Sequence, residues 1–222
     1  MAVCLILTLL PATALAADTY TEWTTEDNLP TSGTYRLETD VTLTKTITIG
    51  GWASSVPAEP AQTLVLDLNG HTVTMDGGYL YVQTNGGLTI EDSAGTGKIT
   101  NEGATGYGAQ LVMVAGAFTM TGGTVENHRS NSKAVFLNGS AYGTLSGGTI
   151  SNVASNGTAV FVNSQADFTM EDGTISNSVD GGDCIYVNTD ATFVMNDGLV
   201  EQKGSYGSDA AIYNNGEWRR DD

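Results

Sequence analysis

Glycines recur every 25 residues, and this period constrains the fold more than any other feature. Four of them occupy the same place in copies of one short phrase: Gly123, Gly148, Gly173 and Gly198. The copies read FTMTGGTVEN, GTLSGGTISN, FTMEDGTISN and FVMNDGLVEQ. A fixed period of about 20 to 50 residues is typical of repeat proteins, in which each unit stacks on its neighbours. Most of the recurring residues are therefore expected to serve the stack.

The repeat unit has the composition of short strands. Segments rich in Thr, Ile, Val and Phe alternate with Gly, Asn, Ser and Asp, and no stretch of the mature chain has helical apolar spacing. Within one period we predict strands at 159–163, 168–170 and 174–176. Three strands in 25 residues fit one coil of a parallel β-helix, with coils about 4.8 Å apart. The sequence predicts an all-β, single-domain, right-handed parallel β-helix.

The period continues, less strictly, on both sides of these copies. Upstream, Gly97 and Gly70 mark two further coils, and residues 33–49 are expected to form the first one. Downstream, residues 210–216 repeat the third strand after a longer loop at 203–209.

Amide side chains recur at two positions of the coil. The series after the second strand is Asn101, Asn127, Asn152, Asn177 and Gln202. The series after the third strand is Gln83, Met113, Asn138, Asn163, Asn188 and Asn214. A side-chain amide both donates and accepts, so stacked copies can hydrogen-bond to one another. We predict two structural ladders, with aliphatic columns such as Met120, Leu145 and Met170 filling the core.

The chain begins like an exported protein. Residues 1–16 are apolar and uncharged and end in Ala-Leu-Ala, the pattern of a secretory signal peptide. The usual positive start is missing, so we expect the signal to be truncated at its start. The run is shorter than the ~20 residues that span a membrane, and we expect no membrane insertion after cleavage. Residues 17–62 are then an N-terminal cap and first coil.

Residues 63–222 are expected to form the remaining coils. No polar cap follows NNGEW at 214–218, although the exposed end of a solenoid needs one. We therefore expect either a repeat region that is cut short at its C-terminus or end-to-end self-association.

The charge balance excludes one class of partner. Only eight Lys and Arg oppose 25 Asp and Glu, and the net charge is −17. Phosphate backbones would be repelled, so we expect no nucleic acid partner. Signal cleavage would leave Cys184 as the sole cysteine, which excludes an intramolecular disulfide. Because Cys184 shares a column with Ala134 and Ala159, we expect it to be buried packing.

The phrases DLNGHTVT (67–74) and GGLTIEDSAGTGKIT (86–100), with the serial GGTI-S-N copies, carry a family resemblance. They resemble right-handed β-helix, pectin-lyase-like or adhesin-like regions of surface proteins from Gram-positive gut bacteria. The resemblance covers nearly all of residues 33–217. It implies a secreted or cell-surface location, and it leaves activity open because the same coil carries lyases, hydrolases and adhesins.

An enzymatic site should interrupt the repeat. Residues 188–190 match the N-T-D triplet of polygalacturonases of this fold, but none of their other motifs follows, and Asn188 belongs to a ladder. The best bases for a lyase are Arg129 and Lys133, in the loop at 128–133, where the next coil offers no carboxylate. His71 and His128 are far apart in the stack, so no histidine-based site is expected. The sequence therefore predicts no catalytic residues.

Stacked acids offer a calcium hypothesis. Asp172 and Asp197 lie one period apart, with Glu171 beside the first, and Asp183 aligns with Asp209. Carboxylates stacked at about 5 Å repel unless they are protonated, splayed into solvent or shared by a cation. Calcium is the only cofactor considered, and the alternative is solvated turn carboxylates.

One apolar column could reach the surface: Tyr81, Leu111, Phe136, Phe161, Tyr186 and Ile212. Aliphatic residues flank it on both sides, and a strand can turn only one of the two sets inward. If the aliphatics fill the core, an exposed aromatic stripe remains that suits a sugar ring or a protein. We favour the other arrangement, with the aromatics inside, because β-helix cores often contain them.

Two functions remain open. The first is a non-catalytic, adhesin-like surface module that binds carbohydrate or protein through a lateral face, with Tyr81, Phe136, Phe161, Tyr186, Arg129 and Lys133 as candidate ligand contacts. The alternative is an incomplete or degenerate polysaccharide lyase or glycoside hydrolase.

Overall fold

A computed structural model describes residues 19–27, 30–101, 110–204 and 210–220. The proposed signal peptide and Asp209 lie outside these ranges. The described residues contain strands and turns but no helix. No helix long and apolar enough to span a membrane is therefore found among them.

The strands are short and follow one another at regular intervals. In chain order they are β1 (Thr21–Trp23), β2 (Gly33–Leu37), β3 (Val41–Leu43), β4 (Ile47–Ile49), β5 (Gln62–Asp67), β6 (Thr72–Met75), β7 (Leu80–Val82), β8 (Gly86–Glu91), β9 (Lys98–Asn101), β10 (Val112–Val114), β11 (Ala117–Met120), β12 (Thr124–Asn127), β13 (Lys133–Leu137), β14 (Tyr142–Leu145), β15 (Thr149–Asn152), β16 (Thr158–Val162), β17 (Asp167–Met170), β18 (Thr174–Asn177), β19 (Ile185–Val187), β20 (Thr192–Met195), β21 (Leu199–Gln202), β22 (Ile212–Asn214) and β23 (Glu217–Arg220).

Three parallel sheets run along the stack. The first sheet has the order β1-β2-β5-β8-β11-β14-β17-β20-β23. The second sheet runs from β3 to β21 and the third from β4 to β22, with every third strand in each. Each coil thus contributes one strand to every sheet, and the coil of β2, β3 and β4 is the first. The predicted parallel β-helix with three strands per coil is confirmed.

The 25-residue period sets the register of the sheets. Thr149 pairs with Thr174 and Ile150 with Ile175, one period apart. Gly148 directly precedes β15, the second strand of its coil, and has a φ of +82°, a conformation that L side chains rarely adopt. A Cβ at this position would lie 2.6 Å from the carbonyl oxygen of Gly123 in the preceding coil. The glycine period therefore reflects both a left-handed backbone and close stacking.

Columns of apolar side chains fill the core. Met120, Leu145, Met170 and Met195 pair in succession on the first sheet and are buried. Phe168 and Phe193 stack beside them with ring centroids 6.1 Å apart. Cys184 is fully buried, and burial raises the pKa of its thiol to about 12. The thiol donates to the carbonyl oxygen of Glu201 at 3.2 Å, so Cys184 packs as expected.

An amide ladder runs inside the turn after the second sheet. Asn101 donates to Asn127 at 3.0 Å, Asn127 to Asn152 at 2.7 Å, and Asn152 to Asn177 at 2.6 Å. All four side chains are buried. Each of the last three also donates to a carbonyl two residues later, as Asn152 does to Ala154 at 2.8 Å. The ladder thus satisfies turn backbone that water cannot reach.

Candidate binding face on the third sheet

The outer face of the third sheet carries one large side chain per coil. This aromatic stripe consists of Tyr81, Met113, Phe136, Phe161, Tyr186 and Tyr213, which pair in this order. The stripe residues are half-exposed, and Tyr213 is exposed. Their aliphatic neighbours, such as Val160 and Val162 beside Phe161, are fully buried. The aromatics therefore face outward, and the expectation that they fill the core is wrong.

The first sheet explains why the aromatics are outside. Phe118, Phe168 and Phe193 point inward from it and are at most 1% exposed. The large core residues that the third sheet contributes are aliphatic, such as Val135, Val160 and Ile185. A core at crystal-like density cannot hold a second aromatic column without displacing the first.

The register of the stripe corrects two positions. Leu111 precedes β10 and is buried, so Met113 takes the expected place of Leu111 between Tyr81 and Phe136. Ile212 pairs with Ile185 in the inner column, and Tyr213 takes the outward place. Both errors fall where the spacing of the repeat in the sequence changes, after Asn101 and after Gly204, so that counting from the glycines loses the register.

The rings of the stripe stack on one another. Phe161 and Tyr186 are nearly parallel, with centroids 4.5 Å apart and an angle of 7°. Tyr186 and Tyr213 are 4.7 Å apart, and Phe136 meets Phe161 edge-on at 5.5 Å. Neighbouring rings thus cover the faces of Tyr186, and its edge is left for a ligand, with a hydroxyl that accepts from Asn215 Nδ2 at 3.3 Å. Ring edges carry the positive end of the aromatic quadrupole.

A second amide ladder borders the stripe. Asn163 donates to Asn138 at 2.8 Å and Asn188 to Asn163 at 2.6 Å, and all three are half-exposed. The residue stacked before Asn138 in this ladder is Ala115, not the Met113 that the sequence predicted. The N–H of Ala115 donates to the carbonyl oxygen of Val82, just as the N–H of Asn138 donates to that of Val114. The same pattern places Asn215, not Asn214, after Asn188. The stripe and this ladder form one surface of ring edges and amides.

The two bases of the 128–133 loop point in different directions. Lys133 lies on the outer face, with Nζ 5.6 Å from the centre of the Phe161 ring. Arg129 is only 8% exposed, and its Nη2 donates to the carbonyl oxygen of Met75 at 3.0 Å. Lys133 therefore belongs to the candidate face, whereas Arg129 serves the interior of the stack. The structure does not bring them together as one ligand site.

The stacked acids on the turns after the first sheet have local partners. Asp172 accepts the N–H of Gly173 at 2.6 Å, and Asp197 that of Gly198 at 2.7 Å. Glu171 accepts a hydrogen bond from Asn196 at 2.7 Å, and all three acids are exposed. The described residues contain no group of three or more His, Cys, Asp or Glu that could hold a metal ion. This geometry gives the calcium hypothesis no further support.

A charged cluster on the second sheet was missed by the sequence reasoning. Glu126 accepts from Lys98 Nζ at 2.6 Å and contacts His128 Nε2 at 2.7 Å. Partial burial raises the pKa of Glu126, but these two contacts outweigh it and hold the pKa below its ordinary value. Ser151 Oγ lies 3.4 Å from the same carboxylate. The register of the repeat could have indicated this cluster, because Lys98 and Glu126 are outward residues of adjacent coils.

The described surface also has two shallow open cavities. One, of about 330 Å³, is lined by Tyr20, Val65 and Glu91 among others. The other, of about 300 Å³, lies between Asp190 and Glu217 at the end of the stack. Neither has the enclosed, mainly apolar lining of a typical small-molecule site. An extended face is the better candidate on this molecule.

Comparisons with protein-family models, with curated proteins and with solved structures found no match. The class of the chain, a parallel β-helix of about 25-residue coils, therefore rests on the fold itself.

Proposed function

We propose that this chain is a non-catalytic β-helix module of an exported surface protein, and that the aromatic stripe of its third sheet binds another protein. The observation that carries the proposal is the continuous row of outward rings from Phe136 to Tyr213. Exposed aromatic rows are rare on surfaces that bind nothing, and Tyr is enriched in protein interfaces. The signal-like N-terminus supports export.

The ring geometry favours protein over carbohydrate. A sugar stacks its C–H groups on an aromatic face, and stacked neighbours cover the faces of Tyr186. The exposed edges instead suit the carbonyl oxygens and ring faces of a polypeptide. The bordering amides Asn138, Asn163 and Asn188 add donors and acceptors in the same direction. A protein segment that runs along the coils could use both.

The test replaces two stripe residues without touching the core. In the F161T/Y186T variant, threonine suits an outward strand position, so folding is retained. A matched control, T144S, changes the outer face of the first sheet. Both are probed, beside the parent chain, against immobilised collagen, fibronectin, fibrinogen and mucin and on a glycan array. We expect protein binding that the stripe variant loses and the control keeps. Glycan binding that depends on the stripe, or protein binding that ignores it, would refute the proposal.

The Glu126–His128 contact favours one alternative, a polysaccharide lyase or glycoside hydrolase. The carboxylate orients one imidazole nitrogen, an arrangement in which the other can act as a general base. Release of unsaturated uronate or reducing ends from polygalacturonan, lost in H128A and kept in F161T/Y186T, would replace the binding proposal.

A further inference from the structure

The connection between β4 and β5 departs from the repeat. It contains 12 residues, 50–61, whereas the corresponding connections in later coils contain two (115–116) to four (138–141). Insertions in repeat proteins often carry the binding surface. This segment, here called the Trp52 loop, therefore needs an explanation that stacking does not provide.

The Trp52 loop is held against the stack at several points. The N–H of Ala53 donates to Thr84 Oγ1 at 2.5 Å, and Asn85 donates to the carbonyl oxygen of Gly51 at 3.0 Å. Farther along the loop, the hydroxyl of Tyr142 donates to the carbonyl oxygen of Ala58 at 3.0 Å. These contacts reach from the second coil to the fifth. The loop is a docked part of the fold rather than a free linker.

The first sheet provides a seat for the loop. Gly87, Ala117 and Tyr142 pair in succession along its outer face. A Cβ at Gly87 would lie 3.1 Å from Pro60 Cγ, so the missing side chain makes room for the proline. Ala117 is only 8% exposed although it faces outward. Two small residues and a tyrosine thus match the underside of the loop.

The docked loop presents one large side chain. Trp52 is 83% exposed, while Leu199, Trp218 and Tyr213, the other exposed large apolar residues described, lie on the last three strands. Tryptophan is usually well buried, and an exposed one on an ordered loop is the residue type that dominates binding interfaces. Both ring faces of an indole this exposed are open to a ligand, unlike those of the stacked stripe.

The charge around the loop selects the ligand. The Trp52 loop, 50–61, contains one carboxylate and no Lys or Arg. This carboxylate is Glu59, which lies near Tyr142. Burial raises the pKa of Tyr142, and the negative charge of Glu59 raises it further. The whole chain has a net charge of −17. An anionic ligand is repelled here, whereas a cation is attracted over long range.

We propose that the Trp52 loop binds an arginine-rich segment of a partner protein, with a guanidinium stacked on the Trp52 indole. Trp is the strongest cation–π partner among the side chains, and Arg the more frequent cation. Glu59 in the loop and the net charge of −17 attract the rest of the segment. This site is distinct from the aromatic stripe, and its test is independent of that proposal.

The test uses a short peptide of alternating Arg and Gly, with a matched peptide in which neutral citrulline replaces Arg. Binding is followed by tryptophan fluorescence at low salt in a W218F background, because Trp23 is buried and contributes a constant signal. We expect the Arg peptide to change the emission and to bind at least about fivefold more tightly than the citrulline peptide. Added salt should weaken it.

Variants separate the ring, the charge and the docking. Measured by calorimetry, W52A should lower the affinity for the Arg peptide about fivefold, and W218A should leave it unchanged. E59Q should weaken binding through charge alone. Y142F keeps the indole but removes a hydrogen bond that holds its loop, so it should weaken binding. W52F keeps an aromatic ring at position 52 and should largely retain binding. Equal affinity in W52A, equal binding of the citrulline peptide, or tighter binding of a neutral oligosaccharide such as cellohexaose would overturn the proposal.

Discussion

The buried amide ladder allows a quantitative prediction at Asn152. Its Nδ2 donates to Asn177 Oδ1 at 2.6 Å and to the carbonyl of Ala154 at 2.8 Å, and its Oδ1 accepts from Asn127 at 2.7 Å. N152A removes all three bonds inside a region that water does not reach. At about 1 kcal/mol for each lost bond, and more where a buried partner stays unsatisfied, we expect a loss of about 3–5 kcal/mol.

A matched control is available on the outer ladder. Asn163 also makes two ladder bonds, to Asn138 and from Asn188, but it is half-exposed. Water can replace its partners, so N163A should cost only about 1 kcal/mol. The two variants share chemistry and stack position and differ mainly in burial.

The assay is thermal unfolding followed by circular dichroism and calorimetry together, because repeat arrays can lose two-state behaviour. For a chain of this length each kcal/mol lowers the Tm by about 2–4 °C, so N152A should melt about 6–20 °C below the parent. Equal losses in N152A and N163A would refute the reasoning, since burial would then not decide the cost.

Three further predictions concern single positions. G148A should destabilise the fold by more than about 2 kcal/mol in urea unfolding, because its Cβ meets the Gly123 carbonyl. G139A, with open space around it, should cost about 1 kcal/mol, and equal costs would contradict close stacking. Cys184, with its pKa raised to about 12, should resist alkylation at pH 8 until the chain unfolds, and rapid labelling of native protein would show it accessible. Because the pKa of Glu126 is lowered, its charge stabilises the fold at neutral pH. The difference in unfolding free energy between parent and E126Q should therefore shrink as the pH falls below the ordinary glutamate pKa of about 4. A constant difference would argue against the ion pair.

The coil can be predicted from the sequence because glycine is needed at one fixed position of each coil. A glycine such as Gly148 is required by φ and by space in each turn, so its period reports the coil directly. Amides such as Asn152 follow because their partners lie one period away. Where the spacing of the repeat in the sequence changes, after Asn101 and after Gly204, counting shifts by one or two residues, which explains the errors at Leu111 and Ile212.

The orientation of the third sheet could not be predicted in the same way. In β16 both alternating sets are apolar, so periodicity of two gives no preference between Phe161 and its valine neighbours. The decision depends on core volume already taken by Phe168 and Phe193 on the first sheet. The exposure of Trp52 could not be predicted from the sequence either, because it depends on a seat built from residues up to 90 positions later, ending at Tyr142.

The two proposed surfaces meet at one corner of the helix. The Trp52 loop leaves the third sheet directly after β4, and Thr84, which holds it, follows Tyr81 of the stripe by three residues. A partner that runs along the stripe toward its N-terminal end would therefore reach the Trp52 loop. Two modest contacts on one partner reinforce each other through effective concentration, without either being strong alone. Under these two proposals a repetitive fold would become selective. The rows of ring edges and amides would set the direction of a ligand, and the 12-residue Trp52 loop, with Trp52 and Glu59, would set its position.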